Sequence, residues 1–159
     1  MNKRYFACAL ALAVAAWPLA RLAASPRCYP SSRFVVLAGG LVRDTLTQLV
    51  WQRDGSGTRT GCSGGTLTCT WAEANSYCSS LGSGFRVPTV KELNSLVDLT
   101  VTSGATISQT AFPGTPTDPP FWTSSPFAGL SGYAWFVYFG DGSSGGKVVG
   151  SSYRVRCVR

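Results

Sequence analysis

The chain contains no histidine, seven carboxylates and six cysteines. Without an imidazole there is no Ser-His-Asp or Cys-His nucleophile system and no histidine-based metal site. The carboxylates are Asp44, Asp54, Glu73, Glu92, Asp98, Asp118 and Asp141, no two of them adjacent. Calcium requires clustered oxygen ligands, and glycoside hydrolysis requires two carboxyl groups facing one bond. The spacing suggests neither. The chemistry to expect is therefore binding, with no catalysis, no metal and no cofactor. Cys8 lies in the leading apolar stretch, which leaves Cys28, Cys62, Cys69, Cys78 and Cys157. Five cysteines in an exported chain are better explained by bridges than by zinc, and they allow two bridges with one left over.

The binding candidates are few. Gly140-Asp141-Gly142-Ser143-Ser144-Gly145-Gly146 reads either as a polar binding loop centred on Asp141 or as a plain hairpin connection. Phe127 and Tyr133 flank a glycine-rich turn, placed either to stack on a sugar ring or to cover the core. Arg154 and Arg156 alternate with Val155 on a final strand, so both are expected to point outward from one face. That face is either simply solvated or, with Lys147, a surface for anions. Asp118, beside Thr117, is a candidate by its position in a long loop.

The elements that must position these residues are legible as short runs. Phe34 to Ala38, Leu41 to Arg43 and Gln48 to Gln52 read as strands around Gly39-Gly40 and the turn Asp44 to Thr47. Gly55 to Thr68 is a Gly/Ser/Thr loop containing Cys62, with Cys69 just beyond it. A Cys62–Cys69 bridge would close an eight-residue ring and contribute about 2.5 kcal/mol in the chain-entropy model. Thr70-Trp71-Ala72-Glu73 is a capping box, followed by Trp71, Ala74, Tyr77, Cys78 and Leu81 at helical spacing up to Gly82. Thr89-Val90-Lys91-Glu92 is a second capping box, with Val90, Leu93, Leu96 and Val97 as the apolar face of a helix ending near Asp98 or Leu99. The pattern vanishes from Thr100 to Pro120, and a loop of that length is usually functional or disordered. Strands resume at Phe121 to Thr123, Tyr133 to Phe139, Lys147 to Val149 and Tyr153 to Val158. Tyr133 to Phe139, with Trp135, Val137 and Phe139 on one face and Phe136 and Tyr138 on the other, is apolar on both faces and so is expected to be central and at least largely covered. Strands, two helices, a long loop and strands again make an α+β fold with an antiparallel sheet.

Met1 to Arg4 is a basic head, and Phe6 to Ala20 is an apolar run of fifteen residues closed by Arg21. This is the layout of a secretory signal, with cleavage expected after Ala24. The alternative, an uncleaved anchor, needs roughly 20 apolar residues. The mature chain would be 25–159, an irregular lead-in over 25–32 and one domain over 33–159, exported to the periplasm, cell surface or medium. Removing 1–24 takes three of the fourteen basic residues and none of the seven acidic ones, leaving a net charge of +4. The arginines are scattered rather than striped, which argues against nucleic acid as a partner and leaves a mild preference for anions.

Asp44-Thr45-Leu46-Thr47-Gln48-Leu49-Val50-Trp51-Gln52-Arg53 resembles the opening of a family of exported bacterial domains named after the C-terminal domain of the Legionella collagen-like protein. Later motifs agree in order. They are Thr70 to Ala74 with Tyr77-Cys78, Phe85-Arg86-Val87-Pro88-Thr89 with Lys91-Glu92-Leu93, Ala111-Phe112-Pro113, Phe121 to Ser125, Ala134 to Phe139, and Val155 to Arg159. The resemblance covers residues 33–159. It implies a fold similar to C-type lectins, with a long loop that often carries the binding site, and a bridge from the first helix to the last strand, Cys78–Cys157. Closing that 80-residue ring would contribute about 4.5 kcal/mol. Cys28 is then left free, paired between chains, or competing with Cys62 or Cys69. Trp51, Trp71, Trp122 and Trp135 sit inside the shared motifs and are expected in the core. Gln48 stands where the family usually has Gly, and Phe85 where it usually has Trp. The calcium-binding triplets of calcium-dependent lectins are replaced here by Phe121-Trp122-Thr123-Ser124, so no such site is expected. The sulfatase-modifying enzymes share the broad fold but use a cysteine pair near the chain end, where this chain has only Cys157.

The expected protein is an exported, non-catalytic, calcium-independent binder of a carbohydrate or cell-surface polymer, through the long loop and adjoining sheet edge. The alternative is a protein-interaction or structural module of an envelope assembly. A lectin-type site needs an exposed aromatic beside polar groups; a protein site needs a larger apolar patch.

Overall fold

The computed structural model describes residues 33–54, 59–64 and 67–159. The expected secretory signal, the expected lead-in over 25–32 and Cys28 lie outside them. Three strands open the domain: β1 (Phe34–Leu37), β2 (Leu41–Asp44) and β3 (Val50–Gln52), an antiparallel sheet in that order. Two helices follow, α1 (Trp71–Ser80) and α2 (Val90–Asn94). A second antiparallel sheet closes the chain, β4 (Phe121–Pro126), β5 (Tyr133–Val137) and β6 (Ser144–Val148), with β5 central. The fold is thus a small α+β domain with two three-stranded sheets.

Local chemistry explains the element starts. At α1 the Glu73 N–H donates to the Thr70 hydroxyl (3.4 Å), and the Thr70 N–H donates to the Glu73 carboxylate (2.8 Å). At α2, Thr89 and Glu92 repeat the arrangement at 3.3 and 2.7 Å. Each box satisfies N–H groups that a first helical turn leaves without partners. The turn between β2 and β3 is built on buried Asp44. Its carboxylate accepts two bonds from the Arg33 guanidinium, at 3.1 and 2.7 Å, and one from the Leu46 N–H at 2.9 Å. Gln48 closes this turn at φ +63°, a left-handed conformation that glycine adopts more readily than a residue with a Cβ. Its side chain compensates in part by donating to the Thr45 carbonyl at 2.7 Å.

Several boundaries differ from the sequence expectation. Helix α2 has one and a half turns and ends at Asn94, before Asp98, because the chain turns there to let the Asp98 N–H donate to the Thr106 carbonyl (2.8 Å). The central strand stops at Val137, since Phe139 has left the ladder to accept from Thr106 through its carbonyl. Strand β6 begins at Ser144, so Ser144-Gly145-Gly146 belong to a strand rather than to a loop. Tyr153 to Val158 forms no continuous strand. It makes isolated bridges to Trp51, Cys69, Arg86 and Phe121, and thereby stitches both sheets together.

Two apolar clusters make the core. One gathers Val42, Trp51, Leu93, Phe112, Phe121, Val137 and Phe139. The other gathers Ala74, Tyr77, Trp122, Ala134 and Val155 around two half-cystines, Cys78 and Cys157. Two disulfides staple the domain, Cys62–Cys69 and Cys78–Cys157. Trp51 and Trp122 are fully buried as expected, whereas Trp71 and Trp135 are only half-buried. No helix among the described residues is long and apolar enough to cross a membrane.

Candidate functional site

Among the described residues, one end of the second sheet is left uncovered. Paired residues of adjacent strands project to the same face, so Ala134, Phe136 and Trp122 share one face, which is closed by the cluster around Tyr153 and α1. Tyr133, Trp135 and Val137 share the other. Val137 is fully buried, in the cluster that includes Leu93 of α2. Among the described residues, no comparable cluster covers Tyr133 and Trp135.

There the Phe127 ring lies against Trp135, centroids 4.6 Å apart. Room for it comes from Gly146, which pairs with Trp135; a Cβ on Gly146 would sit 2.4 Å from the Phe127 ring. Tyr133 is 37 % exposed and pairs with Val148, 45 % exposed. The result is an aromatic ledge of Phe127, Trp135 and Tyr133. Its strand-end neighbour Ser144 supplies a hydroxyl on the same face, opposite Val137.

The remaining candidates do not join this ledge. Lys147 pairs with Ala134 and projects to the opposite face, at the sheet edge. The Ser143 side chain, together with the Ser143 N–H that donates to Asp141 at 2.8 Å, holds the Asp141 carboxyl below its ordinary range and engages it within its own turn. Asp118 is exposed and lies close enough to act electrostatically on Tyr153 and Arg154. Asp118 and Arg154 therefore form a charged pair of positions at the end of the long loop. That loop sends its apolar residues inward: Ala105, Ile107, Ala111 and Phe112 are buried, with Thr106 and Thr115, while its polar and glycine positions such as Thr102, Ser103, Gly104, Gln109, Thr110, Thr117 and Asp118 are exposed.

Arg156 requires a correction. It does not point outward; it is completely buried. Its guanidinium lies over the rings of Phe112 (4.6 Å) and Phe121 (5.6 Å) and donates to the Thr115 hydroxyl at 2.8 Å. Burial lowers its pKa to about 9, which leaves it charged at neutral pH. The last segment runs between the two apolar clusters, so alternation sends Val155 into one core and Arg156 into the other instead of to solvent.

A feature the sequence reading missed is a cleft of about 420 Å³ between the β1–β2 turn, β3 and the end of α1. Its polar lining comes from Gln52, Asp54, Arg59 and Tyr77 and its apolar lining from Leu41, Leu81 and Phe85. These residues are scattered between Gly39 and Phe85, and no local spacing announces them. Among the described residues, no group of three His, Cys, Asp or Glu side chains is placed to hold a metal ion.

These features define a class: a disulfide-stapled α+β domain with an exposed aromatic ledge and a separate polar cleft. The model of the Lcl C-terminal domain family matches residues 40–159, and the chain belongs to that family. No curated protein matches the chain.

Proposed function

We propose that this protein is an exported, non-catalytic binding module of C-type-lectin-like fold that recognises a carbohydrate or cell-surface polymer without calcium. The carrying observation is the Phe127–Trp135 pair beside exposed Tyr133 on the uncovered end of the second sheet. Sugar rings present an apolar C–H face, and an aromatic ledge beside polar groups matches it. The ledge replaces the long loop as the proposed contact surface, because that loop spends its apolar residues on the core. The two disulfides support export, since such bridges persist in oxidising compartments.

A protein-interaction role is the second reading. Leu130, at 52 % exposure, extends the exposed apolar surface formed by Tyr133 and Val148. The test is binding of the oxidised protein to an array of neutral and acidic glycans, with and without EDTA, at low and high salt. Selective binding that persists in EDTA supports the lectin reading. An empty array contradicts it and favours a protein partner.

A further inference from the structure

We propose that the outer face of the first sheet docks on an anionic phospholipid bilayer, lying on its surface without spanning it. The inference is independent of the carbohydrate reading and uses a surface other than the aromatic ledge.

Strand pairing builds this face row by row, because paired residues of adjacent antiparallel strands project to the same side. Val35 of β1 pairs with Arg43 of β2, and Arg43 with Val50 of β3. Val50 in turn exchanges both main-chain bonds with Arg159, at 2.8 and 2.9 Å. Arg86 and Val158 exchange theirs at 2.9 Å, which sets Phe85 beside Arg159, and the Arg159 guanidinium lies over the Phe85 ring at 5.0 Å. The row is therefore Val35, Arg43, Val50, Arg159 and Phe85. A second row, two residues further along the strands, holds Leu37, Leu41 and Gln52.

The inner side of this sheet sends Val42, Trp51 and Val158 into the core. The outer side stays open among the described residues: Val35 is 40 % exposed, Arg43 and Arg159 are exposed, and Leu37, Leu41, Val50 and Phe85 are half-buried. Neither the Arg43 nor the Arg159 guanidinium has a hydrogen bond or ion pair among the described residues. All seven side-chain carboxylates are described, and none stands in either row. The main-chain carboxyl group of Arg159 stays in the plane of the sheet, where it accepts from the Val50 N–H at 2.8 Å. The face thus carries two cations about 10 Å apart, two strand spacings, with an apolar side chain between them.

Charge complementarity calls for an anionic partner, and the residues around the arginines decide which. A polysaccharide brings many hydroxyls and needs hydrogen-bonding groups to meet them. Here the arginines stand among Val, Leu and Phe. The Gln52 carboxamide is engaged at both ends, its oxygen accepting from the Cys157 N–H at 3.1 Å and its nitrogen donating to the Tyr77 hydroxyl at 3.2 Å. An anionic bilayer offers phosphates to guanidinium groups and acyl carbon just beneath them to aliphatic and aromatic side chains.

The experiment is sedimentation of the oxidised protein, recovered after export, with vesicles of phosphatidylcholine alone and of phosphatidylcholine mixed with phosphatidylglycerol. It is repeated on Arg43→Gln, on Arg159→Gln and on Lys147→Gln, which removes one positive charge from the second sheet. All four proteins share one N-terminus, so their differences report the substituted side chain. The expected result is preference for the mixed vesicles, with a partition coefficient about five-fold lower in each arginine variant and within about two-fold of native in Lys147→Gln. Near-ultraviolet circular dichroism shows that each variant is folded; if one arginine variant is not, the other carries the test. Equal binding to both kinds of vesicle, or to neither, overturns the proposal. So does unchanged binding in the arginine variants, or an equal loss in Lys147→Gln, which would assign the effect to net charge. Soluble polygalacturonate bound through Arg43, with no binding to vesicles, would overturn it in favour of an acidic polysaccharide.

Discussion

The Arg156 guanidinium sits 4.6 Å from the Phe112 ring centroid, and among the described residues no carboxylate forms an ion pair with it. Its Nε and Nη1 are buried without hydrogen-bond partners, leaving Thr115 as its acceptor. The charge is carried inside largely on aromatic faces. Since desolvating such a charge is poorly offset, Arg156→Met should keep stability within about 1 kcal/mol of the native protein or raise it. Arg156→Ala leaves a cavity and should cost about 3 kcal/mol. Urea unfolding of both variants checks this; equal losses would show that the charge, not the volume, matters.

The Cys78–Cys157 bridge spans 79 positions and the Cys62–Cys69 bridge only 7. Loop-closure entropy grows with the logarithm of loop length. Replacing the long pair by serine should therefore cost about 4.5 kcal/mol and the short pair about 2.5 kcal/mol. Differential scanning calorimetry of the two double variants gives the order. A larger loss from the short pair would contradict it.

Gln48 adopts a left-handed conformation that costs a residue with a Cβ about 1–2 kcal/mol. Gln48→Gly removes that strain but loses the bond to Thr45 and adds freedom to the unfolded chain. The net expectation is a gain of about 0.5 kcal/mol, seen as a rise of roughly 2 °C in Tm. A fall in Tm would mean that the Gln48 side chain contributes more than its backbone costs.

Acid should loosen both helix starts. The bidentate bond from Arg86, helped by the Thr89 N–H, lowers Glu92 from 4.5 to about 2. Bonds from Ser63 and Thr70 lower Glu73 likewise to about 2. A folded-state pKa below the unfolded one gives stability that is present above about pH 4.5 and lost as pH falls toward 2. Thermal melts from pH 6 to pH 2 should show Tm declining through that window, with a smaller decline in Glu92→Gln. An unchanged slope in the variant would remove Glu92 as a contributor.

Features set by near neighbours were legible in the sequence. Both capping boxes, the Asp44 turn and the central place of the Tyr133 strand rest on residues a few positions apart, and the structure has all of them; the expected covering of that strand on both faces fails at Tyr133, which is exposed, and at Trp135, which is half-buried. The Cys78–Cys157 bridge came from the family resemblance rather than from spacing, and it is present. What failed was the last segment. Alternation separates core from solvent only where one face of a strand is covered, and here Arg156 and Val155 each face a core because the segment lies between two clusters. The candidate residues were also scattered by topology: Lys147 and Tyr133 project to opposite faces of one sheet, so only Phe127 and Tyr133 of the original set share a surface with Trp135. The cleft escaped notice because Gln52, Arg59, Tyr77 and Phe85 meet only through the fold.

The most direct test of the ledge compares the native protein with Tyr133→Ala, titrated in EDTA with a glycan that the array selects. Tyr133 is 37 % exposed, so the substitution should lower Tm by no more than about 4 °C and leave the protein folded. The account predicts that native binding persists in EDTA and that Kd rises about ten-fold or more in the variant, a loss of about 1.4 kcal/mol. Unchanged affinity in Tyr133→Ala, or native binding abolished by EDTA and restored by calcium, would contradict it.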